Sequence, residues 1–266
     1  GGDGQPPVVG TCWVDKAFSL GSVNRGDFWN QRRPILAFFG DRTRPASSLT
    51  VRVIKDGYDF SSAMLWSVQE KGYLAGVVNF RNPGGDRHIS LDMVKNGEFE
   101  CGRLFVEFDF ESLPGGFNFT EKDGIVSLTA STIQVRLGVR AGKFRPNELR
   151  VGVTRGKQSL VVTIDLLPPS GKKRVVWKTT TEAWLAFTLE LAGPAESRFT
   201  QMGESNSFGC VPKAGQVRLD WKTPVGRLGL AAATAPGPVD RLAKMFEARI
   251  DGAVPSEPRL SEGKLA

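Results

Sequence analysis

Histidine is almost missing from this chain: His88 is the one imidazole in 266 residues. A zinc centre built on paired histidines is therefore excluded, and a Ser/His/Asp triad would have to use His88. Cysteine is scarce too. Cys12, Cys101 and Cys210 stand roughly ninety or more residues apart with no Cys-x-x-Cys spacing. They read as buried free thiols, and the odd count favours a reducing compartment. Tyrosine occurs only at Tyr58 and Tyr73, thin provision for a sugar-stacking cleft. No apolar run approaches the roughly 20 residues that a helix needs to span a bilayer. Repeats of collagen or coiled-coil period are absent. The Gly-Gly pairs at 84–85 and 115–116 lack the setting of a phosphate-binding loop, so no metal or cofactor is expected. The chain opens Gly1-Gly2-Asp3-Gly4 without an initiator methionine, which predicts a start made by proteolytic cleavage and shows no signal peptide.

What is present is alternation. With 40% hydrophobic residues, burial can offset chain entropy, and the composition is not that of a disordered chain. Leu49, Val51 and Val53 alternate with Thr50 and Arg52; Leu104, Val106, Phe108 and Phe110 alternate with Phe105, Glu107 and Asp109. The same period recurs at Ile133–Val139, at Ala183–Leu191 and at Val217–Trp221. In a strand, successive side chains point to opposite faces, so each segment is expected to bury one face and wet the other. Between them lie turn signals: Asp56-Gly57, Asn82-Pro83-Gly84-Gly85, Asn96-Gly97, Pro114-Gly115-Gly116, Asp123-Gly124 and Pro168-Pro169-Ser170-Gly171. Such spacing, without crossover helices before residue 235, predicts an all-β antiparallel sandwich or barrel. One segment departs from it. Val239, Leu242, Met245, Phe246 and Ile250 fall at helical spacing, with Pro238 suited to the first turn and Gly252 to the stop. A short amphipathic helix over 238–250 follows, reached by an Ala- and Pro-rich linker at 231–237 and trailed by a loose polar tail.

The net charge of +7 is unevenly placed. Residues 140–178 hold ten bases against Glu148 and Asp165, so the rest of the chain carries a net −1. Within that run Arg140, Lys143, Arg145, Lys172, Lys173 and Arg174 are candidates to face RNA or contact phosphate. Arg32 and Arg33, near Arg42 and Arg44, form a second candidate group. Without a base-reading motif, contact would be phosphate neutralisation, salt-sensitive and indifferent to sequence. The solvated-surface reading competes with it. Glu107, Asp109 and Glu111 project to one side of a strand as retaining glycosidases require, although a wetted strand face explains them as well. Asp86-Arg87-His88 follows directly on a turn and reads as loop rather than dyad. Phe117-Asn118-Phe119 reads as core and hairpin.

The order of segments carries a resemblance. Phe28-Trp29-Asn30-Gln31-Arg32-Arg33-Pro34-Ile35-Leu36-Ala37-Phe38-Phe39, ahead of Ser48-Leu49-Thr50-Val51-Arg52-Val53, resembles the start of the jelly roll in comovirus-like small coat proteins. There a WN…NPPI segment leads into an alternating strand. Val106 to Phe119 is similar to that family's F-x-F-D-I…P-x-x-G-F-x-F hairpin, and Trp13-Val14-Asp15-Lys16-Ala17-Phe18-Ser19-Leu20 to its first strand. The resemblance covers residues 13–120 and points to small coat proteins of the plant picorna-like viruses (secovirids), with the strawberry latent ringspot virus group a better match in length than a comovirus.

That resemblance implies a non-enzymatic capsid subunit cut from a polyprotein. Its fold would be an eight-stranded antiparallel jelly-roll sandwich with an N-terminal arm at 1–12, a coat domain at 13–230, and a C-terminal linker, helix and tail at 231–266. Its partners would be copies of itself, a larger sister coat protein and genomic single-stranded RNA. Its location would be the virion, and the host cytoplasm before assembly. The helix could dock on its own sandwich or on a neighbour; its flexible linker favours the neighbour, which makes Leu242, Met245 and Phe246 candidates for an inter-subunit contact. Two rivals stand beside this reading: a secreted carbohydrate-binding β-sandwich, which would present two or three tryptophans on one sheet face, and a β-sandwich glycosidase or lyase working through Glu107 and Asp109. A viral movement protein with a similar sandwich is a more distant third.

Overall fold

The computed structural model describes residues 7–29, 32–40, 46–82, 94–144, 149–169, 171–193 and 208–251. Arg145, the Asp86-Arg87-His88 segment, Arg42, Arg44 and the expected tail lie outside the described residues.

Alternation in the first half produces β1 (Gly10–Val14), β2 (Phe18–Val23), β3 (Arg25–Asp27), β4 (Ile35–Phe39) and β5 (Ser47–Lys55). There follow β6 (Tyr58–Asp59), β7 (Ala63–Glu70), β8 (Tyr73–Phe80), β9 (Glu98–Cys101) and β10 (Leu104–Glu111). The middle of the chain supplies β11 (Asn118–Lys122), β12 (Ile125–Thr129), β13 (Gln134–Phe144), β14 (Arg150–Arg155), β15 (Leu160–Leu167) and β16 (Lys173–Val176). Last come β17 (Ala183–Ala192), β18 (Phe208–Lys213), β19 (Gln216–Thr223), β20 (Gly226–Ala233), the helix α1 (Val239–Lys244) and β21 (Glu247–Ile250). Tight reversals join many of them. Asp56-Gly57, Asn96-Gly97 and Asp123-Gly124 hold two consecutive residues at positive φ, the backbone that twisted hairpins require and that Asn-Gly or Asp-Gly adopts at least cost. Ala214-Gly215 adopts the same conformation, without the Asn or Asp that would have announced it.

The chain is all-β and its strand pairs are antiparallel. Sheet one runs β1-β2-β4-β5-β10-β15-β14, with β6 beside β5; sheet two runs β11-β12-β13-β17-β8-β7-β3. The two form a sandwich over a core that includes Val51, Val106, Phe108, Leu137, Phe187 and Leu189. Phe108 meets Phe187 edge-on at 5.2 Å across the two sheets. Gly76, opposite Phe187 in register, leaves room for that ring, since a Cβ there would run into it. The β9–β16 pair closes one end of the core, where Trp177 packs against Phe80, Phe99 and Phe144 at 5.2, 4.9 and 6.0 Å.

Eight strands were expected in all, yet sheet one alone has eight and a third sheet, β18-β19-β20-β21, is added. That third sheet covers the far face of sheet two. Val217, Leu219, Trp221, Leu228 and Leu230 pack on Met64, Trp66, Val68, Tyr73, Val77 and Trp184 as a second core. The expectation of one wet face therefore fails for β17, where Trp184, Thr188 and Glu190 are buried along with Leu185 and Phe187.

The segment boundaries also shift. Gly10–Cys12, assigned to a free arm, are the first residues of β1, paired with β2 from Gly21 to Val23. Ala231–Ala233, assigned to a linker, end β20 and are buried. The following residues are tied down by backbone bonds: the Ala183 amide donates to the Thr234 carbonyl, and the Asn82 amide to that of Gly237 (both 2.8 Å). The helix is six residues long and stops before Phe246. Phe246, Ala248 and Ile250 also fit a period of two, and here that period wins: β21 completes the hydrogen bonding of β20 while those three side chains pack on the second core.

Candidate nucleic-acid interface

The basic run at 140–178 does not fold into one face. Its residues lie on β13 in sheet two, on β14 and β15 in sheet one, and on β16 in the small end pair. Arg140 is half-buried: its Nε donates to Thr188 Oγ1 at 2.8 Å and its guanidinium lies over the Phe208 ring at 4.9 Å. Burial lowers its pKa, with Glu190 opposing. This arginine is engaged where β18 meets sheet two, unlike the exposed lysines of the run. Lys143 is exposed, 3.6 Å from Glu182. Lys172 and Lys173 are exposed at the start of β16, and Arg174 beside them donates from Nε to Glu98 at 3.0 Å. Arg155 caps Phe117, donating to its carbonyl at 3.0 Å with the guanidinium 4.6 Å from the ring centroid. The run thus divides into several small basic sites.

Arg32 and Arg33 do reach a concave site. With Arg25, Arg81, Asp27, Met64 and Val239 they line a cavity of about 490 Å³ beside β3. Antiparallel pairing of β3 with β7 sets Arg25 opposite Trp66, and Arg81 follows directly on β8. Asp27 Oδ2 lies 3.1 Å from Arg81 and 3.6 Å from Arg32. Arg33 donates to the Trp29 carbonyl at 2.9 Å, and burial lowers the Arg25 pKa. Sequence reasoning found Arg32 and Arg33 but not Arg25 or Arg81. Charge density could not have found Arg81, which is brought there only by the β7–β8 hairpin.

Leu242, Met245 and Phe246 all pack on their own chain, Leu242 fully and the other two in part. Leu242 is fully buried, Met245 packs on the second core, and Phe246 lies 5.1 Å from Trp66. The helix thus docks on its own sheet, with Leu242 buried there and Met245 and Phe246 left partly exposed.

Glu107 and Asp109 do share the outer face of sheet one, in register with Arg52 and Thr50. Arg52 lies 3.6 Å from Glu107 and donates to Asp59 at 2.9 Å. Burial raises the pKa of Glu107, opposed by Arg52 and reinforced by Asp109; burial and then Glu111 raise that of Asp109. None of the three lines the arginine cavity. Trp66, Trp177, Trp184 and Trp221 are buried, while Trp13 and Trp29 are partly exposed. Trp13 belongs to sheet one and Trp29 follows β3 of sheet two, so the described residues show no pair of exposed tryptophans on one sheet face.

All three cysteines are free thiols. Burial pushes the Cys101 thiol up to about 12 and the Cys210 thiol up to about 11. Cys12 is exposed on β1, against the expectation that all three are buried. Among the described residues no group of three or more His, Cys, Asp or Glu is placed to hold a metal, and no helix is long and apolar enough to cross a membrane.

Compared with protein-family models, curated proteins and solved structures, the chain matches none.

Proposed function

We propose that this chain is a structural capsid subunit: a jelly-roll coat protein that assembles with copies of itself and a larger sister coat protein into an icosahedral shell around positive-strand RNA. The observation that carries the reading is the position of the segments resembling secovirid small coat proteins. Ile35–Phe39, Ser47–Lys55 and Leu104–Glu111 are consecutive neighbours in one sheet of an antiparallel sandwich. A coat protein needs such a rigid body with surfaces left over for its neighbours.

Sheet one supplies a surface of that kind. Cross-strand partners point to one face of a sheet, and the register Val14↔Ser19↔Phe38↔Ser48 sets four residues in a row across β1, β2, β4 and β5. Val14 is 69% exposed and Phe38 47%. Burial of such side chains between subunits would contribute about 1.5–3 kcal/mol each. Expression with a sister coat protein, followed by size-exclusion chromatography and negative-stain microscopy, tests the reading. Particles are expected, and Phe38→Asp should reduce their yield while leaving the monomer folded. A monomer that forms no particles at any salt or pH would overturn it.

A further inference from the structure

We infer that the arginine-lined cavity beside β3 is a binding site for a nucleotide phosphate, either a free nucleotide or one residue of a single strand. The inference concerns the isolated subunit and does not depend on shell assembly.

Three observations carry it. First, the lining residues include four guanidinium groups (Arg25, Arg32, Arg33 and Arg81) and one carboxylate, Asp27. Asp27 is shared between Arg81 and Arg32, so one anion serves two cations at the same mouth. Positive charge gathered in a partly desolvated concavity costs free energy that a bound anion returns. Second, the Arg81 side chain lines the cavity while only 20% exposed, with Asp27 as its ion-pair partner, so its guanidinium is held in a partly desolvated setting. A phosphate oxygen is the acceptor that a guanidinium fork fits best. Third, the remaining walls are apolar, from Val8, Val23, Pro34, Met64 and Val239. At about 490 Å³ the cavity lies within the roughly 300–1,000 Å³ of small-molecule sites and exceeds what inorganic phosphate fills. A ligand with an anionic end and a flat, weakly polar body matches both halves of the lining. A nucleotide has that form, and guanidinium planes also stack on bases.

Isothermal titration calorimetry of the full chain tests this with uridine monophosphate, uridine, inorganic phosphate, decanoate and a short oligouridylate. Uridine monophosphate is expected to bind at least about tenfold more tightly than uridine, and to weaken as salt rises. Arg81→Gln should weaken it by about tenfold or more. Arg32→Ala, at a side chain that is 64% exposed, should weaken it by several-fold, about the loss of one charge-assisted contact. Asp27→Asn should tighten it by removing the competing carboxylate. An oligouridylate that binds more tightly than the monophosphate identifies a strand as the source; the reverse order identifies a free nucleotide. Absence of binding at millimolar monophosphate, equal binding of uridine, or tighter binding of decanoate would overturn the site. Inorganic phosphate binding as tightly as the monophosphate would overturn its reading as a nucleotide site.

Discussion

Strands β5 and β10 of sheet one and strands β8 and β17 of sheet two are both rich in apolar residues, yet they occupy different environments. Along β10 buried and half-exposed positions alternate from Leu104 to Phe110. Along β8 and β17 every position is buried. The cause is the third sheet, which converts the outer face of sheet two into an inner one. A polar side chain buried on a strand between two layers has only protein groups to bond to. Asn79 does so: it accepts from Trp66 Nε1 at 2.8 Å and donates to the Ala233 carbonyl at 3.0 Å. On sheet one, Thr50 and Arg52 are partly exposed, so water can complete their hydrogen bonding.

Removing a buried tryptophan of the central layer is the strongest way to break this contrast. Trp66→Ala should cost about 3–5 kcal/mol, read as a fall in the urea midpoint. Hydrogen exchange then distinguishes the two cores: amides of β19 and β20 should lose protection first, while those of β5 and β10 keep theirs. Simultaneous loss everywhere would mean that the two cores unfold as one unit. Asn79→Leu comes next, at about 2–3 kcal/mol in all, because it strands the indole N–H and the Ala233 carbonyl. Chemical denaturation of the purified variant measures it.

A pH titration sharpens the comparison further. Burial raises the Glu190 pKa, and Arg136 and Arg140 only partly oppose this. A carboxyl group whose folded pKa lies above its unfolded one takes up its proton first in the native state. Its charged form therefore destabilises the fold at neutral pH. As pH falls through the raised value toward that of an ordinary glutamate, this group's contribution should improve. Glu190→Gln should remove that slope in urea midpoints measured between neutral and mildly acid pH. Asp56 acts in the opposite direction. Burial alone would raise its pKa, but the amides of Arg103 and Gly102, at 2.8 and 2.9 Å, outweigh it and the value is lowered. Its stabilisation is present above the ordinary aspartate pKa and is lost as pH falls through the folded one. The smallest effect belongs to the wet face: Thr50→Val should change stability by no more than about 0.5 kcal/mol in the same denaturation assay.

The candidate site was legible only in part. Arg32 and Arg33 are adjacent in the chain and visible as a pair of charges. Arg25 and Arg81 join them through strand pairing across fifty-odd residues of chain, which composition does not record. Conversely, the dense basic run at 140–178 looks like one surface on paper and is divided among three sheets in space. Helix and strand were equally confounded at Phe246–Ile250, where spacings of two and four coincide on the same apolar residues.

Sequence alone determined the strand class, the hairpin turns at Asp56-Gly57, Asn96-Gly97 and Asp123-Gly124, and the core-facing side of β5, β10 and β19. Alternation and turn chemistry are local properties, so they survive without knowledge of what the strand packs against. Tertiary structure decided the rest: the burial of the second face of β17, the capture of the C-terminal helix by its own chain, and the gathering of four arginines around one cavity. Each of these depends on which sheet covers which, and a hydrophobic period states that a face must be covered without stating by what.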